Sequence, residues 1–338
     1  MLAPIQSSQI GKLRLLAIDA STVQERGATQ TTYRLHSSID LVTLQLQQML
    51  ITDDKIAEGV NNFELREGDI VLLDRGYNHN RQLVPLIDLG VDIILRYNPH
   101  GLCLYEQADL DSKINWMQRL SGQTTHQSFA VQLLHQGKAI PCWLHAHALP
   151  PEQAAESRRK VNATAKSKGQ TASAKRLLLA GWVLVLTSIA PDVLSFDSIC
   201  NLYRTRWQIE LAFKRMKSLL KFDQLRAKKG SKLAELYLLA KLLYTLVVEK
   251  LTAAQTRNHG DWLLSHPSRL ITPWRLWNCM DKRLQSEFVS CFMVKADHVD
   301  AYLYSMSERP RQRRLQQLPD QMKKLLISCT KQGLSHYD

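Results

Sequence analysis

The 338-residue chain is 45% hydrophobic and 22% charged, enough apolar material for a sizeable core and for roughly two domains. These proportions exclude a disordered tail, a collagen-like repeat and a small disulfide scaffold. Forty-four Lys and Arg stand against 31 Asp and Glu, a formal net charge of +13. A polyanion is therefore the expected partner, with nucleic acid the first candidate. An anionic membrane surface fits less well, because Met-Leu-Ala-Pro-Ile-Gln at the start has neither a basic leader nor an apolar run. The longest apolar stretch, residues 233–251, carries Glu235, Lys241, Glu249 and Lys250, so it is expected to be a buried core helix and no membrane span. Six widely spaced cysteines without a Cys-x-x-Cys pair suit the reduced thiols of a cytoplasmic protein.

In chain order, the first expected strand is Leu13–Ile18, ending at Asp19. Residues 31–37 and 44–52 suggest two more strands of an antiparallel run. Asp69–Leu73 is apolar on both faces, as in the middle of a covered sheet, and stops at Asp74-Arg75-Gly76-Tyr77. A helix over 80–89 and a strand over 91–97 complete a parallel crossover unit. Residues 98–149 hold glycines and short alternating runs and suggest a β-rich insertion. A basic helix is expected over 152–168, a loop over 169–174, and a buried strand over 177–189. One helix is expected from Ser195 to about Leu220, followed by helices broken at Gly260, Pro267, Pro273 and Pro310.

Between residues 150 and 230, sixteen Lys and Arg face six Asp and Glu, so most of the net charge lies there. A solvated helix face is the bland reading of such a run. Contact with a phosphate backbone is weighed above it, because the run flanks the best catalytic candidates.

Asp19 and Asp74 are both expected at the ends of apolar strands, where α/β sheets assemble their sites. An Asp there is often only a turn residue, but two neighbouring carboxylates are costly without a hard divalent cation. Tyr203, Arg206, Glu210 and Lys217 fall within roughly 60° of arc on a helix with about 100° per residue. Leu202, Ile209, Phe213, Met216 and Leu220 form the apolar stripe beside them. A surface stripe with an Arg206–Glu210 helix pair is the competing reading.

Asp19, Asp74 in Asp-Arg-Gly-Tyr, and the Tyr-x2-Arg-x3-Glu-x6-Lys spacing resemble the bacterial insertion-sequence-4 family of DDE transposases over residues 13–229. The resemblance implies an α/β, ribonuclease H-like mixed sheet with flanking helices over 13–229. It further implies a β-rich insertion (98–149) and a basic segment (150–176) before the last catalytic helix, then a helical region over 230–338. It implies that Asp19, Asp74 and Glu210 are catalytic ligands of two Mg²⁺ ions, with Mn²⁺ able to substitute. Tyr203, Arg206 and Lys217 would hold phosphates, joined by Arg75, Lys221 and Arg226. Trp116 and Trp143 are candidates for stacking on a flipped base, with ordinary packing the competing reading for each. The implied activity is metal-dependent DNA cleavage and strand transfer in cut-and-paste transposition, by a homodimer acting on transposon ends and target DNA in a bacterial nucleoid.

The first catalytic strand begins at Leu13, so the N-terminal end-binding region usual in relatives is expected to be absent. A non-catalytic, DNA-binding or dimerising remnant that inhibits a full-length relative therefore stays open as the alternative. Another ribonuclease H-like nuclease, such as a junction resolvase, fits the fold but explains the Tyr-Arg-Glu-Lys stripe less well. His145, His147 and Cys142 stand near one another, but a zinc site lacks a further ligand and packed or surface histidines are the expectation.

Overall fold

The computed structural model describes residues 14–25, 27–107, 109–123, 125–227, 230–258, 270–290, 299–308 and 324. They divide into two compact units, one holding Arg14 and residues 59–203, the other residues 15–58 and those from Arg204 onward. The first three strands fall in the same unit as the helices that follow Arg204. Both units are α/β, which is the expected fold class.

The second unit opens with β1 (Arg14–Val23), β2 (Tyr33–Asp40) and β3 (Gln45–Asp53), an antiparallel meander in the order β3-β2-β1. Leu15, Leu16, Ala17 and Ile18 are fully buried, so the apolar run supplies the core part of β1. The strand does not stop at Asp19, however. Its ladder with β2 continues to Val23↔Tyr33 and places Asp19 opposite Ser37 in mid-strand. The end of an apolar run marks where burial ends, and backbone pairing persists past it. The β2–β3 turn is set by Asp40, whose Oδ1 accepts from the Val42 and Thr43 amides at 2.7 and 3.0 Å.

The first unit starts from β4 (Asp69–Leu73), buried at every residue. Asp69 at its head is held by Arg14 at 3.3 Å. Helix α1 (Asn80–Asp88) carries the chain to β5 (Asp92–Arg96), which pairs parallel to β4 with Leu73 opposite Leu95. The expected crossover is thus present. The sheet then adds strands from the insertion: β6 (Tyr105–Glu106), β7 (Gln127–His135) and β8 (Lys138–Ala148), with α2 (Trp116–Leu120) between β6 and β7. Gln136 and Gly137 both have positive φ, 49° and 76°, the turn that a two-residue hairpin needs between β7 and β8.

Helix α3 (Pro151–Ser167) buries only Ala154 and Ala165 and leaves its basic side chains in water. Residues 177–179 are helical, contrary to the expected strand over 177–189. They belong to α4 (Ala174–Leu179), started by Ser173, whose Oγ accepts from the Arg176 amide. Strand β9 (Trp182–Thr187) begins only after Gly181, where a Cβ would lie 2.9 Å from the Arg158 guanidinium and 3.3 Å from the Leu178 carbonyl. The order in this unit is β4-β5-β9-β8-β7-β6, with β9 antiparallel to both neighbours.

Helix α5 (Phe196–Thr205) holds the boundary between the units, and α6 (Trp207–Leu219) begins the return to the second. The single helix expected over 195–220 is therefore two, divided at Arg206. The Arg206 carbonyl accepts from Ile209 three residues on at 3.1 Å, a 3₁₀-type turn that tightens the backbone there. Ile209, Ala212, Phe213 and Met216 form the buried face of α6, as the apolar stripe predicts.

Helix α7 (Lys232–Asn258), α8 (Pro273–Ser290) and α9 (Val299–Met306) follow, with a two-residue pair β10 (Leu270–Ile271) and β11 (Ser307–Glu308). Pro273 opens α8, whereas Gly260, Pro267 and Pro310 lie outside the described residues. No helix among the described residues is long and apolar enough to cross a membrane. The stretch over 233–251 is helical as expected but not buried all round. Ala234, Leu238, Thr245 and Val248 face the core, while Leu236 and Leu243 are 61% and 64% exposed.

Candidate functional site

In the second unit, α6 presents its polar stripe to β1. Arg206 at the head of α6 donates from Nη2 to Glu210 Oε1 at 2.5 Å and from Nη1 to Asp19 Oδ2 at 3.4 Å. About three turns further on, Lys217 Nζ donates to the Thr22 carbonyl of the same strand at 3.1 Å. Three residues of the expected Tyr-Arg-Glu-Lys signature thus lie along one strand. Asp19 and Glu210 converge on a single guanidinium, which offsets the repulsion of two half-buried carboxylates. Oxygen donors gathered around one positive charge also suit a hard divalent cation. Among the described residues, no three His, Cys, Asp or Glu side chains are arranged to hold a metal.

In the first unit, Asp74 stands where the sequence predicts, at the carboxyl end of β4. Its Oδ1 accepts from the Gly76 amide at 2.6 Å and caps a 3₁₀ turn over Arg75–Tyr77. Arg75 is exposed. The parallel register ends with Leu73 beside Leu95, and Asp74 and Arg96 are the residues that follow this last pair on the two strands. Asn78 locks this end of the sheet, donating to the Arg75 and Arg96 carbonyls at 3.1 and 2.9 Å. Burial depresses the Arg96 guanidinium, the Arg75 charge depresses it further, and Tyr203 acts in the opposite direction. Arg96 is a residue that sequence reasoning missed. The signal was available, a cation closing an apolar strand parallel to the one that ends in Asp74.

Lys221 and Arg226 are exposed in the segment after α6, where Lys221 takes a φ of 52° and its carbonyl accepts from Lys241 Nζ. Glu25, 4% exposed, anchors that segment by accepting from the Gly230 amide at 3.0 Å and from the Tyr33 hydroxyl at 3.2 Å. It too was missed, since a buried acid at a strand end looks like a turn residue in sequence. So was Trp207, whose indole is 55% exposed immediately after Arg206. Trp116 is 4% exposed and packs its ring against Tyr97 with centroids 5.6 Å apart, and Trp143 is half-buried on β8.

His145 is fully buried on β8, with Nδ1 2.8 Å from Ser128 Oγ and Nε2 without a hydrogen-bond partner among the described residues. Burial, helped by the neighbouring His126, pushes its pKa down to about 4. Cys142 is buried and its thiol pushed up to about 12 by burial, so it stays protonated and is a poor metal ligand. The unfolded chain takes up the His145 proton near pH 6.5 while the folded chain resists to about pH 4. This stabilisation is present above pH 6.5 and lost as pH falls towards 4, about 3 kcal/mol in all. Urea unfolding of wild type and His145→Phe between pH 4 and 7 checks this: the variant should show a flatter profile.

The chain matches the transposase DDE domain family model over residues 10–246. It is 33% identical over 242 residues to the transposase for insertion sequence element IS421 of Escherichia coli, covering 70% of this chain and 65% of that protein. It is also 28% identical over 200 residues to the transposase for IS231C of Bacillus thuringiensis subsp. berliner, covering 53% and 40%. The chain thus spans about 65% of the E. coli relative's length. The matched region contains the strand of Asp19, the end of β4 and the whole Tyr-Arg-Glu-Lys stripe, and on that ground this chain belongs to the transposase DDE domain family.

Proposed function

We propose that the chain cleaves DNA strands and transfers them during insertion-sequence transposition, with Asp19, Asp74 and Glu210 as ligands of catalytic divalent metal. The observation that carries this reading is the convergence of Asp19 and Glu210 on the one charge of Arg206. The all-carboxylate donor set suits two Mg²⁺ ions, with Mn²⁺ as substitute. When bound, such metal supplies a nucleophilic oxygen at neutral pH and neutralises charge on the leaving oxygen.

The chain's own residues do the positioning. Arg206 has a planar guanidinium suited to bidentate phosphate contact, and Lys217 adds a point charge further along the same stripe. Tyr203, Arg75 and Arg96 hold further phosphates near the cut, fixing the strand for in-line attack. Lys221 and Arg226 extend the track along the backbone without reading bases. Trp116 and Trp143 belong to this reading as candidates for base stacking, Trp143 being the more accessible. The protein works as a homodimer on element ends and target DNA, in the bacterial nucleoid.

The test is DNA binding as a function of salt. If phosphate contacts dominate, log Kd rises linearly with log salt. Arg226→Ala and Lys221→Ala should each lower the slope by about 0.9 and weaken all sequences alike. An unchanged slope in both variants would remove these residues from the interface.

A further inference from the structure

Phe196, the first residue of α5, sits among three imidazoles. The His126 ring stacks on it with centroids 3.6 Å apart and planes 16° off parallel, and the His145 and His147 rings lie 5.6 Å away. Strand alternation gathers them: His145 and His147 are two apart on β8, Ser128 of β7 pairs with His145, and His126 comes two residues before Ser128. Ser128 Oγ joins two of the rings, 3.0 Å from His126 Nε2 and 2.8 Å from His145 Nδ1. The proposed chemistry uses none of these imidazoles.

The surroundings favour neutral rings. A neutral His145 donates from Nδ1 to Ser128, which donates in turn to His126 Nε2, so that only a lone pair is left at the buried, unpartnered His145 Nε2. A charged ring puts an N–H there without an acceptor. Burial disfavours charge on His126 and His145 alike; His147 opposes it further on His126, and His126 on His145, while Asp197 of α5 favours it on His126. On β9, Val183 and Val185 pair with His147 and His145 and bring no charge. The positive end of α5 adds to the repulsion, and the attraction of one imidazolium for a phenyl face is small beside the burial of His145.

We propose that neutral His126, His145 and His147 clasp Phe196 and so hold the first turn of α5 on the β7–β8 hairpin, and that their protonation releases it. Withdrawal of Phe196 lets water reach the rings and supplies the acceptor that a charged His145 lacks. Because burial depresses the pKa in the clasped state, the clasp is fully closed above about pH 6.5 and weakens as pH falls towards 4. The clasp stands apart from the transposase reading, which enters only through Tyr203 near the far end of α5. Release of the first turn would loosen the helix that positions this phosphate contact.

The experiment is hydrogen exchange of the full chain at about pH 7 and pH 5, read by mass spectrometry and corrected for the intrinsic rate at each pH. Protection of residues 196–201 is expected to fall about twentyfold, the ratio for one imidazole moving from a pKa of about 4 to its ordinary 6.5, while β4 and β5 keep theirs. His145→Gln should reduce the fall to about threefold or less. A buried substitution can disturb β8, so Phe196→Ala supplies the reciprocal reading: with the clasp open, His145 should titrate near its ordinary value by NMR. Protection of α5 that is indifferent to pH, or lost equally in β4 and β5, would overturn the inference. So would a His145 titration unmoved in Phe196→Ala. Both readouts are taken without DNA, so a failed clasp and a failed nuclease are told apart.

Discussion

Asp19→Asn and Glu210→Gln should each reduce metal-dependent DNA cleavage by at least about 10³-fold while leaving the protein folded. The size follows from the proposed role: each change removes a charged ligand of the metal that activates the nucleophile and stabilises the leaving oxygen. Folding should survive because the amides keep the shape of the carboxylates. Arg206 also retains one charged partner in either variant, Glu210 at 2.5 Å or Asp19 at 3.4 Å. The expected stability change is about 1 kcal/mol or less, as for a part-exposed pair. Mn²⁺ binding followed by calorimetry gives the direct readout, and affinity should fall in both variants together with cleavage. Cleavage lost with Mn²⁺ affinity intact would assign these carboxylates to proton transfer or structure.

Glu249→Ala is expected to destabilise the second unit by about 1–3 kcal/mol, because the Leu46 amide loses its acceptor and the buried Arg215 loses an opposing charge. Arg215 lies on α6, within two turns of Glu210, and is buried to 2% exposure. Burial lowers its pKa to about 10, against the pull of Glu249, and its guanidinium stacks 5.3 Å from the Trp277 ring centroid. Burial in turn raises the Glu249 carboxyl, while the Leu46 amide and the Arg215 charge hold it down. Removing Glu249 leaves Arg215 charged in a dry site. Replacing both with Met should cost less than Glu249→Ala alone, because the uncompensated charge goes with its partner. Denaturant unfolding of the single and double variants tests the order, and a double variant less stable than the single would contradict it.

Much of this protein is legible in its sequence. The β4–α1–β5 crossover follows from two short apolar runs around an amphipathic segment, and the β7–β8 hairpin from alternation around Gln136-Gly137. The Tyr-Arg-Glu-Lys spacing carries family membership because four residue types at fixed offsets constrain a helix face. Other features depended on long-range contact. Asp19 lies in mid-strand because β2 continues to pair with β1 beyond the apolar run. The four-residue stripe assumed one uninterrupted helix, and the 3₁₀ turn at Arg206 divides it. Arg215 and Glu249 are 34 positions apart in sequence and feel each other's charge only in the fold, so no local pattern announces them. The open face of α7 was hidden for the opposite reason: an apolar helix has the same composition whether one face is covered or two.

Asp19, Asp74 and Glu210 are proposed to form a metal-dependent nuclease site. Nicking of supercoiled plasmid by the purified chain in Mn²⁺ or Mg²⁺, beside Asp74→Ala, tests it most directly. Metal-dependent conversion to open circles is expected of wild type, and none of the variant. Equal nicking by both, or none by wild type even with DNA bound, would contradict it and favour a DNA-binding remnant without catalysis.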